Sequence, residues 1–424
     1  MGLKESLKNE IFSASFVLLI LMTLANFINY LFHFVMGRML GPVDYGVLAF
    51  LTSIMYIFGV PTASIQTLVA KYTTKFNVKK EHGKIKGMIK FMILEATLLA
   101  VVLFLVFCLI AFFFSSYVGI SFWLLALTGL ILFSSFLSPI GLGVVQGLKK
   151  FSILGWNTIL GSTIKIVLSV FLVLFSFKVY GAILGFILGG LISFVFIFPF
   201  IKEIMNSKEI VEKKALISIN SVAVLVSILT ITLMYSLDII FAKIFFTADI
   251  AGKYAVASMI GKMIFFGTSA VTSAMFPLSS EKFLSGDRSK TSGIIKKTFI
   301  FVTILCLIAL FFMGLFPKLV VSLLFGSKYL EIVNILFYLG VAFSMISLTN
   351  TFVLYKLSIE EFRIRHAGIL LLFLILQIVL FINFRQSITS FSFFFMISTI
   401  VTFIGSIFLI KKSRKPSFNS PKAL

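Results

Sequence analysis

Apolar residues fill this chain in long unbroken runs, with neither the two-residue alternation of a surface strand nor the one-sided stripe of a soluble helix. Ile11–Gly37 and Tyr45–Ala70 contain no Asp, Glu, Lys or Arg. Ala96–Gly147 is also charge-free and is long enough for two spans with a turn near Ser115 and Ser116. Charge-free runs return at Val179–Ile201, Ala215–Leu237, Thr298–Pro317, Ile332–Tyr355, Ala367–Phe384 and Gln386–Ile410. Two further spans, about Phe151–Phe177 and Lys253–Ser280, enclose Lys165 and Lys262. A helix of roughly 20 residues crosses the hydrocarbon core of a bilayer, and a barrel strand would be short and alternating. The pattern predicts an all-α polytopic membrane protein with about 12 transmembrane helices.

Composition agrees. Of the 424 residues, 60% are hydrophobic and 12% charged, about half the charge of an ordinary soluble domain. A net charge of +22 could suggest nucleic acid, but the basic residues fall in alternate loops. One side holds 28 of the 37 Lys and Arg, among them Lys71–Lys90, Lys202–Lys214, Lys282–Lys297 and Lys411–Lys422. The other side holds Arg38, Lys178, Lys243, Lys253, Lys318, Lys328 and Arg385. By the positive-inside rule both termini are cytoplasmic, in a multi-pass protein of the plasma membrane. The basic charge faces anionic lipid, so the expected partner is the bilayer and not nucleic acid. Cys108 and Cys306 read as small apolar residues inside separate spans. No metal-ligand spacing, nucleophile with paired base, or phosphate-cradling glycine loop is present, so neither an enzyme nor a cofactor is expected.

The chain also repeats itself. At an offset of 205 residues Tyr30 meets Tyr235, His33 meets Asp238 and Arg38 meets Lys243. One inserted residue later, Gly46 meets Gly252, Ala49 meets Ala255 and Thr73 meets Ser279. Six helices per repeat return the chain to the same side, which predicts two lobes in a parallel repeat about an axis along the membrane normal. The expected boundaries are a first lobe at 1–205, a cytoplasmic linker at 206–214, a second lobe at 215–412 and a basic tail at 413–424.

The string Gly37-Arg38-Met39-Leu40-Gly41-Pro42-Val43-Asp44-Tyr45-Gly46 resembles the G-R-x-L-G-P-x-x-Y-G signature of the polysaccharide or O-antigen flippase family. That family lies within the multidrug/oligosaccharidyl-lipid/polysaccharide exporter superfamily. The regions around Ala70-Lys71-Tyr72 and Gly252–Pro277 resemble it too. The resemblance implies spans 1, 2, 7 and 8 around a central cavity. It implies a polyprenyl-(di)phosphate glycan moved from the cytoplasmic to the outer leaflet by alternating access, for cell-surface polysaccharide export. H+ or Na+ as coupling ion, and a glycan-synthesis partner at the cytoplasmic loops, stay open. The rival reading is an ion-coupled multidrug or cation antiporter of the same superfamily.

An anionic, hydroxylated cargo calls for cations and hydrogen-bonding side chains within the spans. An intramembrane Lys or Arg costs roughly 2.5–3.5 kcal/mol to insert, so each is a functional hypothesis. The candidates for substrate contact are Arg38, Lys165, Lys243 and Lys262. Asn26, Asn29 and Tyr30 on one face of the first span, Gln66 on the second and Tyr235 on the seventh join them. Cations outnumber acids in and at the ends of the spans, which argues for an anion over a cation. Asp238, His33 and Glu95 are the candidates for ion coupling. Gly37, Gly46, Pro61, Gly252 and Pro277 are hinge candidates.

Overall fold

The computed structural model describes residues 2–210, 219–359, 361–362 and 364–411, with side chains from Val17 onward apart from those of 18–19, 219–222, 277, 284 and 409–411. Among the described residues the chain is helix and short turn, with no strand. The first half contains α1 (Gly2–Phe58), α2 (Val60–Val78), α3 (His82–Val118), α4 (Phe122–Gly129), α5 (Ile131–Gly147), α6 (Phe151–Leu172), α7 (Lys178–Phe196) and α8 (Lys202–Asn206). The second contains α9 (Ile219–Phe245), α10 (Ala248–Leu284), α11 (Arg288–Leu315), α12 (Pro317–Leu324), α13 (Val333–Ser358), α14 (Ile364–Asn383) and α15 (Ile388–Lys411).

Ten helical runs among the described residues are long and apolar enough to cross a membrane. Two of them, Ile20–Val78 and Phe151–Asn206, extend over 59 and 56 residues, more than twice what one crossing needs. Each contains a reversal. In α1 the break is Gly41, at φ 73° and ψ 177°, followed by Pro42. Glycine alone accepts that conformation readily, and proline cannot continue the helical ladder. A straight helix would hold Asn29 and Thr52 roughly 35 Å apart at 1.5 Å per residue. Both line one cavity instead, so α1 folds back on itself at Gly41.

The second reversal follows α6, where Ser176 and Lys178 take φ of 66° and 47°. From there α7 runs back along α6, and the Ser169 hydroxyl donates to the Ala182 carbonyl at 3.0 Å. What lets the two backbones approach is a ridge of glycines at 181, 185 and 189, four residues apart on one face of α7. A Cβ on Gly185 would lie 2.7 Å from the Ser169 amide nitrogen and 2.8 Å from the Lys165 carbonyl oxygen. One on Gly189 would lie 2.8 Å from the Gly161 carbonyl oxygen.

The described chain forms two compact units. Among the described residues, one holds the first half together with Ser236–Ile260 and Phe316–Leu336; the other holds Ile219–Tyr235, Gly261–Leu315 and 337–411. In the first unit α3 is a peripheral helix, with 11% of its most apolar window buried. Its outward side carries Leu98, Leu105, Leu109 and Phe113, the surface a lipid tail would cover. The second unit has the same division: the corresponding window of α11 is 22% buried, whereas that of the run containing α13 is 67% buried.

Two of the residue pairs matched in sequence can be followed in the first unit. A Cβ on Gly46 would lie 2.7 Å from the Gly252 Cα, so the two repeat-matched glycines touch. His33 and Asp238, matched in the same register, are both buried and both bonded to hydroxyls that follow in the chain, those of the second arm of α1 for His33 and of α10 for Asp238. Tyr45 and Tyr56 reach the two His33 ring nitrogens at 3.4 and 3.5 Å. Ser258 and Tyr254 donate to the Asp238 carboxylate, the latter at 3.4 Å.

The α6–α7 contact yields a stability prediction. Gly185→Val drives methyl groups into the backbone of α6 and is expected to cost about 1–3 kcal/mol, as overpacking does. Gly267→Ala, with nothing within 4 Å of the added carbon, should melt like the parent. Thermal unfolding of the purified protein in detergent compares the two, and equal melting of both variants would refute the close-contact account.

Candidate functional site

The principal site is built inside the first unit by α1, the start of α2, α5, α6 and α7. Their inward positions line an open cavity of about 320 Å³. Its wall is rich in short polar groups: Asn29 and Thr52 from the two arms of α1, Ser134 and Ser138 from α5, Asn157, Thr158 and Ser162 from α6, and Ser193 from α7. Lys165 is the cation among the lining residues, and no Asp or Glu is among them.

Lys165 is buried between two aromatic rings and an amide. Its side chain is 6% exposed. Nζ donates to Oδ1 of Asn29 and lies 4.7 Å from the Phe32 ring centre and 4.4 Å from that of Phe186. Each desolvated cation–π contact contributes up to about 2 kcal/mol. Two rings and an amide oxygen together match the insertion cost of a mid-span lysine. Among the described residues no carboxylate lines the cavity beside it.

Most of the wall hydroxyls have already placed their proton. Thr52 donates to Ala49 O at 2.9 Å, Ser134 to Ile131 O at 3.0 Å and Thr158 to Leu154 O at 2.9 Å. Ser138 donates to Gly190 O at 3.4 Å, and Ser193 to the Asn157 side-chain oxygen at 2.5 Å. The Asn157 amide returns a bond to the Ser193 carbonyl at 2.7 Å. A hydroxyl has one proton and two lone pairs, so these groups face the cavity as acceptors.

The other residues singled out by sequence fall in several places. Asn29 joins Lys165 directly, while Tyr30 is half-buried and Asn26 exposed on the same helix. Gln66 donates to Gln146 at 2.9 Å, bridging α2 to α5. Arg38 is exposed and its guanidinium donates to the Leu323 carbonyl at 2.5 Å. Beside it, Tyr329 donates to the Gly37 carbonyl at 2.6 Å, and a Cβ on Gly37 would run into the Phe325 ring. Lys243 is half-buried in the last turn of α9, where a cation complements the helix dipole. Glu95 is exposed on the peripheral helix α3. Pro61 occupies the first turn of α2, two residues after Gly59 at its N-cap. Pro277 lies within α10, with its side chain outside the described ones.

Lys262 and Tyr235 belong to the second unit. Lys262 is buried with Nζ 5.7 Å from the Phe343 ring centre. Tyr235 packs on Phe265 and Phe266 at 4.8 and 5.6 Å between ring centres. Near them a hydroxyl ladder joins α10 to α13, Thr268 to Ser347 at 2.5 Å and Thr272 to Thr351 at 2.9 Å. Gln377 of α14 donates to the Met234 carbonyl at 2.9 Å.

The long apolar helices define a multi-pass membrane protein. Solved structures with the same fold include an inward-facing conformation of a multidrug resistance MATE family transporter of the MOP superfamily, at 15% identity over 93% of this chain and 96% of that one, TM-score 0.70. An outward-facing conformation of such a transporter matches at 16% over 95% of each chain, TM-score 0.63. A MOP superfamily transporter from Pyrococcus furiosus Vc1 (DSM3638), whose reverse polarity of binding pocket suggests a different function, matches at 15% over 96% of each, TM-score 0.58. At such identities the likeness is one of fold. No curated protein matches the chain. The chain belongs to the polysaccharide biosynthesis protein family, whose model matches residues 35–334.

Asn29→Leu removes the oxygen that accepts from Lys165 and leaves a buried ammonium short of one bond. Loss of a buried charge-assisted partner is expected to cost roughly 1–3 kcal/mol, read as a lower detergent melting temperature. Asn26→Leu, at an exposed position, should change it little. The reverse order would show that Asn29 does not hold the lysine.

Proposed function

We propose that this protein is a lipid-linked oligosaccharide flippase. It carries a polyprenyl-(di)phosphate glycan from the cytoplasmic to the outer leaflet of the plasma membrane by alternating access, for cell-surface polysaccharide export. The observation that carries this reading is the hydroxyl-lined cavity with Lys165 and no carboxylate in its wall. A cation would be repelled there and a hydroxylated anion held, and the family assignment over residues 35–334 supports a glycan as that cargo. Twelve crossings, both termini cytoplasmic and lobes at 1–205 and 215–412 joined by the 206–214 linker complete the proposal. Arg38, Lys243 and Lys262 belong to the same cationic pathway, with Asn26, Tyr30, Gln66 and Tyr235 as polar contacts along it.

Coupling to H+ or Na+ would act through His33 or Asp238. Both are buried and bonded to tyrosine or serine hydroxyls, so a change of charge at either disturbs the helix that holds it. Glu95 is the third candidate. The cation-antiporter reading draws support from the multidrug transporters that share the fold.

Transport of a fluorescent polyprenyl-diphosphate oligosaccharide in proteoliposomes separates the two. The parent should exchange the lipid between leaflets well above protein-free vesicles, and Lys165→Ala and Lys262→Ala should each slow exchange about tenfold or more, the loss of one charged hydrogen bond. No exchange with several glycans, together with ion-driven uptake of an organic cation, would replace the proposal with the antiporter.

A further inference from the structure

We infer that residues 316–332 form a latch on the outer face, which must release the end of the first span before cargo can leave. The inference rests on the alternating-access reading and names the contact that holds the outer side shut.

The two halves differ at this point. The first joins α3 to α4 through residues 119–121, whereas the second joins α11 to α13 through 316–332, which contains α12 and a 3-10 turn at Ser327–Ile332. This longer connection packs within the first unit, against the end of the first arm of α1. Arg38 at that end, and Lys318 and Lys328 in the connection, belong to the less basic side of the chain, the outer one by the positive-inside rule.

The contact is a reciprocal cap. Carbonyls in the last turn of a helix run short of intrahelical donors. Gly37 lies in the last turn before the break at Gly41, and its carbonyl accepts from the buried Tyr329 hydroxyl at 2.6 Å. Leu323 lies in the last turn of α12, and its carbonyl accepts from the Arg38 guanidinium at 2.5 Å. Beside these bonds the Phe325 ring sits on Gly37, where a Cβ would lie 2.8 Å from the ring Cε1. Phe34 and Tyr45 meet that ring edge-on, at 5.4 and 5.6 Å between centres. Lys253 of α10 holds the far end of the connection through Glu331 at 2.8 Å.

Little else holds α12 down. Val321 is its one buried residue, and Leu319, Ser322 and Leu323 are exposed. Gly326 follows the helix at φ 97°, with nothing within 4 Å of an added Cβ, a conformation glycine adopts freely. A segment held by two carbonyls, one ring and an ion pair can lift without unfolding a span.

A cysteine pair tests the need for release, and a single cysteine tests the contacts, both in the full-length protein with Cys108→Ala and Cys306→Ala. A Cβ on Gly37 would lie 3.7 Å from the Phe325 Cγ, which puts the thiols of Gly37→Cys and Phe325→Cys within reach of a disulfide. Oxidised, the pair should bring leaflet exchange of the fluorescent polyprenyl-diphosphate oligosaccharide down to that of protein-free vesicles, and dithiothreitol should restore it. Val321→Cys in nanodiscs should react with a maleimide about fivefold faster once Tyr329→Phe removes one hydrogen bond. Ser322→Ala, outside the contact, should leave that rate unchanged. Exchange that continues through the oxidised pair overturns the inference, as does a folded pair that does not oxidise. Unchanged labelling of Val321→Cys in Tyr329→Phe overturns it too, and this comparison decides alone if the pair does not fold. Faster labelling with no exchange by the parent would fault the flippase reading and uphold the latch; exchange indifferent to the disulfide would fault the latch alone.

Discussion

The first unit depends on one close approach, that of the α6 and α7 backbones across the glycines at 181, 185 and 189. Within a bilayer the lipid is as apolar as leucine, so helices gain little by hiding apolar side chains from it. They associate where their shapes allow many short contacts, and a ridge of hydrogen atoms allows the most. Here the ridge does more than join two helices. It brings Phe186 and Ser193 of α7 beside Lys165 and Asn157 of α6, and all four line the cavity. With larger side chains on that face, the lysine would lose a ring and the asparagine its serine.

The same solvent explains how the cavity acquires its chemistry. A serine or threonine in a spanning helix has no water to bond, so it turns back to a carbonyl one turn earlier or to a neighbouring helix. Thr52, Ser134 and Thr158 do the first and Ser138 does the second. Satisfied as donors, they retain lone pairs. A wall assembled for membrane stability thereby becomes a set of acceptors, with Lys165 the one cation among the residues that line it.

The spans and the repeat were legible in the sequence because both leave one-dimensional traces. Length without charge marks a crossing, and Tyr30 with Tyr235, His33 with Asp238 and Gly46 with Gly252 keep one register. Lys165 and Asn29 were also legible, since a lysine or asparagine in an apolar run is conspicuous. Their partners were not. Ser134, Thr158 and Ser193 are unremarkable residues of membrane helices, and which of them meet depends on the rotation of each helix about its own axis. The glycine spacing on α7 was the available signal for that rotation. Gln66 shows the converse: conspicuous in sequence, it spends its amide on Gln146, joining α2 to α5. Nor does local pattern reveal that 236–260 and 316–336 pack with the first half, for those contacts cross nearly three hundred residues of chain, as Tyr329 to Gly37 does.

The meeting of Gly46 with Gly252 has a consequence of its own. In a two-fold arrangement a residue near the axis encounters its own counterpart, as in the self-complementary interface of a symmetric dimer. Any side chain there must fit against a copy of itself, so enlarging it fills the same gap from both sides. Once two copies are joined in one chain, each can vary separately, and the fit becomes a matter of their sum. At this crossing both members have the smallest value that sum can take, which lets the two backbones come into direct contact where any side chain on either would hold them apart.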